Sequence, residues 1–367
     1  MRPNASSRRF VSPAAVGALC ASICAGVAGP AFAAEGEAIK RVSAAASAEA
    51  GATAAASTAK RPPKRTAKNC KPSRSKLGVA RTITLDTKGG PKFGFVNYPS
   101  TKFLEENEVL LTFDDGPLPR YTNPILKALE KECTRATFFL VGRMSVAFPK
   151  SVKRIMREGH TVGTHTWSHG NLQRTGSARA VDQIERGIAA IEAAAGEPIA
   201  PIFRFPYLGR TGVMESHLKK RNISVFSIDV DSRDTRGYSA PRMIRHTISR
   251  LKARKGGIVL FHDIKRATAQ AIPGFLRELR RNGFRIVHLE TNGYAKPNAK
   301  MLKRYRDYVA ARTSGDREKM RIARKALKDL PARNKAKKRV QRKVQPNSSI
   351  KPVASTRRAN NPFSRSN

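Results

Sequence analysis

From residue 109 onward the chain alternates short apolar runs with amphipathic stretches. Residues 109–113, 136–141, 161–164, 203–205, 224–228, 257–261 and 285–289 are brief and rich in Val, Ile, Leu, Phe and Thr, and they read as strands. Between them, residues 123–132, 149–158 and 178–195 carry helical spacing, the last placing Ile184, Ile188 and Ile191 on one face. Repeated strand and helix units predict a parallel sheet with helices outside it, open or closed as a barrel. A further run at 80–85 alternates like a strand, and Gly89-Gly90-Pro91 turns the chain behind it.

The two ends differ from this middle. Residues 2–9 hold three arginines and no acid, residues 11–28 are mostly apolar and rich in Ala, and Ala31-Phe32-Ala33 offers a small-x-small cleavage pattern. This predicts a secretory signal peptide over 1–33 and an exported chain, periplasmic or extracellular. Residues 34–68 lack large apolar side chains and read as a low-complexity linker, since they cannot bury enough surface to offset chain entropy. Residues 69–108 are expected to pack on the barrel as an N-terminal extension, and 109–290 form the catalytic domain.

Charge sharpens the division. The net charge of +44 splits into +12 over residues 1–100, +13 over 101–290 and +19 over 291–367. The middle is an ordinary mixed-charge segment, while residues 291–367 are expected to form a basic, largely disordered tail. A stretch at 301–326 has helical character, but its apolar positions are sparse and no packed unit is expected there. Basic ends favour polyanions. Export disfavours nucleic acid and points to an anionic envelope surface or an acidic glycan. Loss of the leader removes Cys20 and Cys24, leaving Cys70 and Cys133, which in an oxidising compartment read as one disulfide.

Candidate chemistry collects at the strand ends. Thr112-Phe-Asp114-Asp115-Gly-Pro117 sets two carboxylates after the first core strand, and His165-Thr-Trp-Ser-His169 follows the third. Two histidines four residues apart can meet one metal ion, and a carboxylate would complete a three-ligand set with a position left for water. Arg204-Phe-Pro206-Tyr207, then Asp229, Asp231 and Asp234, then Leu260-Phe-His262-Asp263 follow at later strand ends. Each alone has an ordinary reading: a solvated turn, a surface arginine, a hydrogen-bonded histidine. Five in this order are another matter.

In order and spacing these segments resemble the polysaccharide deacetylases of carbohydrate esterase family four, over about residues 109–289. The resemblance implies a distorted, incomplete (β/α) barrel that hydrolyses acetyl groups from N-acetylated glycan. It implies one divalent metal ion, expected to be zinc, on Asp115, His165 and His169. Asp114 is implied as catalytic base, Arg204 as the residue orienting it, and Asp231 as the acid pairing with that arginine. His262 is implied as general acid, Leu260 as the wall of an acetate methyl pocket, and the Tyr207 N–H as an oxyanion donor. The chain departs from the family where Thr235, in place of the usual Trp, follows Asp234. An O-acetyl glycan esterase and a non-catalytic glycan- or envelope-binding protein remain as alternatives.

Overall fold

In the computed structural model, which describes residues 71–99 and 103–328, the apolar runs become strands of one ten-stranded sheet. The chain begins with β1 Arg81–Leu85, β2 Lys92–Phe93, β3 Glu108–Asp114, α1 Pro119–Lys131, β4 Thr137–Leu140, α2 Gly142–Ala147, α3 Pro149–Arg157 and β5 Thr161–Thr164. It continues through α4 Ser177–Ala195, β6 Ile202–Phe203, α5 Gly212–Lys220, β7 Ser224–Phe226, β8 Val230–Asp231, α6 Ala240–Arg254 and β9 Gly256–His262. It ends with α7 Arg266–Arg281, β10 Arg285–Thr291, α8 Ala299–Ser314 and α9 Arg317–Lys328. The expected signal peptide, the linker, Cys70 and the chain beyond residue 328 lie outside the described residues. Among the described residues no helix is long and apolar enough to cross a membrane.

Every strand pairing among the described residues is parallel, running β1-β10-β3-β4-β5-β6-β7-β2, with β9 joining β3 to β8. The result is an α/β fold, a distorted (β/α) barrel whose strand C-termini share one end. Side-chain parity explains the layers. On β3, Val109, Leu111 and Phe113 pack beneath the helices, while Leu110 packs inward with Phe139, Phe226, Ile258 and Leu289. Successive side chains alternate, so Thr112 and Asp114 share the inward face of Leu110. β9 repeats this arrangement, with Val259 and Phe261 under the helices and Ile258 inward. The helix-side layer is aromatic at its centre: Phe113 stacks on Phe138 at 5.0 Å, and Phe261 meets Phe113 at 5.9 Å and Phe275 at 5.1 Å.

The segment ahead of the barrel is pinned to it. β1 pairs with β10, and Arg81 grips the buried Glu108 carboxylate with two bonds of 2.7 Å. Leu77 N–H donates to the Glu132 side chain and Gly78 N–H to the Glu132 carbonyl, while Arg280 reaches the same carboxylate at 2.7 Å.

The expected tail from residue 291 is corrected in its first part. Residues 299–328 form α8 and α9, and α8 packs on α4, burying Tyr305, Val309 and Leu327 against Val146, Ala189, Ala190 and Ala193. Apolar residues are indeed few here, but Met301, Leu302, Tyr305, Tyr308 and Val309 fall on one helical stripe. Their spacing decides the outcome rather than their number. A chain ending at Pro297 is therefore predicted to be less stable than the full chain by at least about 2 kcal/mol, the value of fully burying one large apolar side chain. Urea unfolding of the two chains checks it, and equal midpoints would return this segment to the tail.

Candidate active site

The parallel register brings the candidate groups together. Asp114 ends β3 and stands beside His262 at the end of β9, with Thr112 beside Leu260 one step below. His165 follows β5, and Arg204 follows β6, whose Phe203 pairs with Thr164. Four strand ends thus deliver their polar residues to the same rim of the barrel.

Arg204 is fully buried, and all three guanidinium nitrogens donate hydrogen bonds. Nη1 donates to Asp114 Oδ1 at 2.8 Å and to Thr112 Oγ1 at 2.7 Å, Nη2 to the Ser227 carbonyl at 3.0 Å, and Nε to the Phe226 carbonyl at 3.3 Å. The cation also lies 4.3 Å from the Phe139 ring centre. Burial pulls the pKa of Arg204 down and the Asp114 charge opposes this; an arginine stays protonated throughout. One carboxylate oxygen of Asp114 is therefore fixed. The other, Oδ2, lies 3.8 Å from His165 Nε2.

Asp115 takes a different direction because its φ of 78° is left-handed. Its Oδ1 lies 3.1 Å from His169 Nε2 and 3.6 Å from His165 Nε2, yet it is buried and accepts no hydrogen bond among the described residues. His165 Nδ1 lies 2.7 Å from the Arg204 carbonyl, which can only accept, so the ring proton is committed there and Nε2 presents a lone pair. Burial first, then the neighbouring His165, lower the pKa of His169 and favour its neutral form, as a ligand requires. One ligand atom from each of Asp115, His165 and His169 lies within 4.8 Å of the others, and these residues can hold a metal ion. The buried, undonated carboxylate oxygen facing an imidazole lone pair is the observation that fits a cation, since without one it would remain uncompensated.

His262 carries the second half of the site. Its Nδ1 donates to Asp234 Oδ1 at 2.8 Å, its backbone N–H donates to Oδ2 at 2.7 Å, and Thr268 donates to Oδ2 at 2.6 Å. Burial would lower the histidine pKa, but the Asp234 hydrogen bond and charge outweigh it, with Asp114 and Asp115 adding, and the pKa rises to about 9. His262 is thus cationic at neutral pH. This corrects one expectation: Asp231 does not pair with Arg204. Asp231 is exposed and accepts from the Arg233 N–H at 2.8 Å, while Arg204 pairs with Asp114. Strand parity gives no signal for this. Val230 pairs with Val259 of the helix-side layer and β8 ends at Asp231, so the turn after the strand, not strand parity, carries Asp234 to His262.

Three further residues complete the rim. Tyr207, with φ of 57°, is 68% exposed and sets its ring edge-on to His169 at 4.7 Å, where an entering molecule would meet it. Leu260 is buried on the face shared with Thr112. Asp263, given no role from sequence, is fully buried; desolvation raises its pKa to about 7, and Thr122 donates to its Oδ2 at 2.7 Å. It also explains the glycine of Asp114-Asp115-Gly116-Pro117, because a Cβ on Gly116 would be built into the Asp263 carboxylate.

Titration separates the two acids of the turn. In chelator-treated protein the His262 ring is predicted to titrate near pH 9, and Asp234→Asn should bring it down toward the ordinary value near 6.5. Asp231→Asn should leave it near 9. NMR of the imidazole protons reads all three, and a wild-type value near 6.5 would contradict the pairing.

A family model for polysaccharide deacetylase matches residues 102–226. The chain is 32% identical over 160 residues to a chitooligosaccharide deacetylase of Azorhizobium caulinodans, covering 43% of this chain and 74% of that one. It is 32% identical to a peptidoglycan-N-acetylmuramic acid deacetylase of Bacillus subtilis, covering 54% of this chain and 41% of that one. For a peptidoglycan-N-acetylglucosamine deacetylase of Bacillus cereus the identity is 33%, over 50% of this chain and 66% of that one. This chain thus spans only part of the two Bacillus relatives. Among solved structures, a peptidoglycan deacetylase of Bdellovibrio bacteriovorus superposes with a TM-score of 0.53 at 29% identity, over 60% of this chain and 61% of that one. With the barrel, the rim of acids and histidines, and a relative matched over three-quarters of its length, the chain belongs to the polysaccharide deacetylase family.

Proposed function

We propose that this protein is an exported, metal-dependent hydrolase that removes acetyl groups from an N-acetylated glycan. The observation that carries the proposal is the undonated Asp115 oxygen against two histidine nitrogens, flanked by an oriented carboxylate and a cationic histidine. Asp115, His165 and His169 would hold one divalent ion, proposed as zinc, which when bound lowers the pKa of a ligating water from 15.7 toward ~7 and polarises a carbonyl.

The chain's own groups divide the remaining work. Asp114, with one oxygen tied to Arg204, uses the other to take the proton of the attacking water. The Tyr207 N–H is assigned to the developing oxyanion, a donor worth about 3–4 kcal/mol where such groups have been removed elsewhere. His262, whose Nδ1 is committed to Asp234, gives the proton on Nε2 to the departing amine, which leaves poorly without it. Leu260 would wall the methyl of the acetyl group.

The signal-peptide pattern in the sequence of residues 1–33 supports export, and the relatives named for peptidoglycan fit an envelope substrate. The basic residues beyond 328 are proposed to hold the enzyme to an anionic envelope surface or acidic glycan. Lys76, Leu77 and Gly78 are bonded to Lys131 and Glu132, beside Cys133, which supports Cys70 and Cys133 as a disulfide pair.

Acetate release from N-acetylglucosamine oligomers should require divalent metal and stop with chelator. Asp114→Asn and His262→Ala should each lose about 10²–10⁴-fold in kcat, the usual contribution of an acid–base group, with metal retained. Release that survives chelation, or either variant at wild-type rate, would remove the assigned role. Above pH about 9 turnover should fall as His262 loses its proton. A thiol titration of unreduced, exported protein should find no free cysteine.

A further inference from the structure

Trp167 sits midway between His165 and His169, two residues from each, and its surroundings are built for it. The loop that carries it is conformationally costly: Thr166 and His169 both adopt left-handed φ, 69° and 59°, without being glycine. Such a loop persists only where its neighbours hold it. Its backbone is clamped on two sides. Gly142 N–H donates to the Thr166 carbonyl and Arg143 N–H to the Trp167 carbonyl, both at 2.9 Å, while Trp167 N–H donates to the Gln183 carbonyl of α4 at 2.9 Å. The Ser168 N–H and hydroxyl both reach the Gln183 side chain, at 3.1 and 2.9 Å.

The indole completes the clamp on a third side. A Cβ on Gly142 would come within 2.9 Å of Trp167 Cε3, so α2 forms a close floor. The Arg186 guanidinium of α4 lies 5.3 Å from the indole centre, and the Tyr305 ring of α8 lies 5.1 Å from it. Arg186 in turn donates to the Tyr305 hydroxyl at 3.1 Å and pairs with Asp182 at 3.6 Å. Tyr305 has no exposed surface. α8 begins at residue 299, well beyond the family-matched stretch of 102–226.

We propose that Tyr305 is a positioning residue for the candidate metal site. Its ring fixes the Trp167 indole, and through it the spacing of the two histidine ligands, so that α8 sets the affinity for the ion. This rests on the metal reading given above. Release of the indole would loosen the loop at its centre, two residues in sequence from each ligand. Residues behind the ligands commonly change metal affinity by about 10–100-fold when removed, and Tyr305 acts one layer further out. A merely structural role for Tyr305 is the competing account, and it predicts loss of stability alone.

The test uses full-length protein stripped with chelator and titrated with zinc against a competing chelator dye, with the cobalt(II) absorption spectrum as a second readout. Tyr305→Ala should weaken zinc binding by about tenfold, and Tyr305→Leu, which keeps apolar volume if the alanine variant folds poorly, should do the same. Tyr305→Phe, retaining the ring, should bind nearly as the wild type does. Val309→Ala, one turn along α8 in the same interface, should lower thermal stability while leaving zinc affinity and the cobalt spectrum unchanged. If the wild type binds zinc and Tyr305→Ala and Tyr305→Leu bind it equally well, the inference fails alone. It also fails if Val309→Ala weakens binding as much as they do. A wild type that binds no ion overturns the metal site and this inference with it.

Discussion

Asp115 Oδ1 is buried against the Nε2 atoms of two histidines, and His165 cannot donate to it because its ring proton is held by the Arg204 carbonyl. A buried, unpaired carboxylate oxygen costs several kcal/mol in an apolar surround. Among the described residues no donor relieves it, and a cation is proposed to complete the site. The rest of the rim follows from that demand. Arg204 neutralises Asp114 so that two adjacent carboxylates can coexist. Asp234 keeps the opposite histidine charged.

The scaffold meets the demand through register as well as through loops. Parallel strands end at one rim, and the β3–β9 ladder sets Asp114 beside His262 with no freedom to slide, since a one-residue slip would turn both into the helix-side layer. The same parity lines up Thr112 with Leu260 beneath them. Because both faces of the sheet are covered, the strands are apolar nearly throughout, and the few polar residues stand out at their ends.

That contrast is why so much was legible in the sequence. Strand positions followed from brief apolar runs, and the polar residues after them marked the rim. What escaped had specific causes. Asp234 and Asp231 are equivalent in composition, and only the path of the turn after β8 decides which one reaches His262. Asp263 is invisible as a packing partner until Gly116 is seen against it. The helices α8 and α9 looked like more polycation because charge dominates their composition, whereas five apolar residues on one stripe suffice to dock α8. Two-residue strands such as β2 and β8 carry no periodicity to detect.

A single divalent ion is proposed between Asp115, His165 and His169. Anomalous diffraction from crystals grown with zinc tests this directly. One peak is predicted about 2.0–2.2 Å from a carboxylate oxygen of Asp115 and from the Nε2 atoms of both histidines. An empty rim with Asp115 satisfied by a hydrogen bond, or an ion bound elsewhere on the chain, would contradict it.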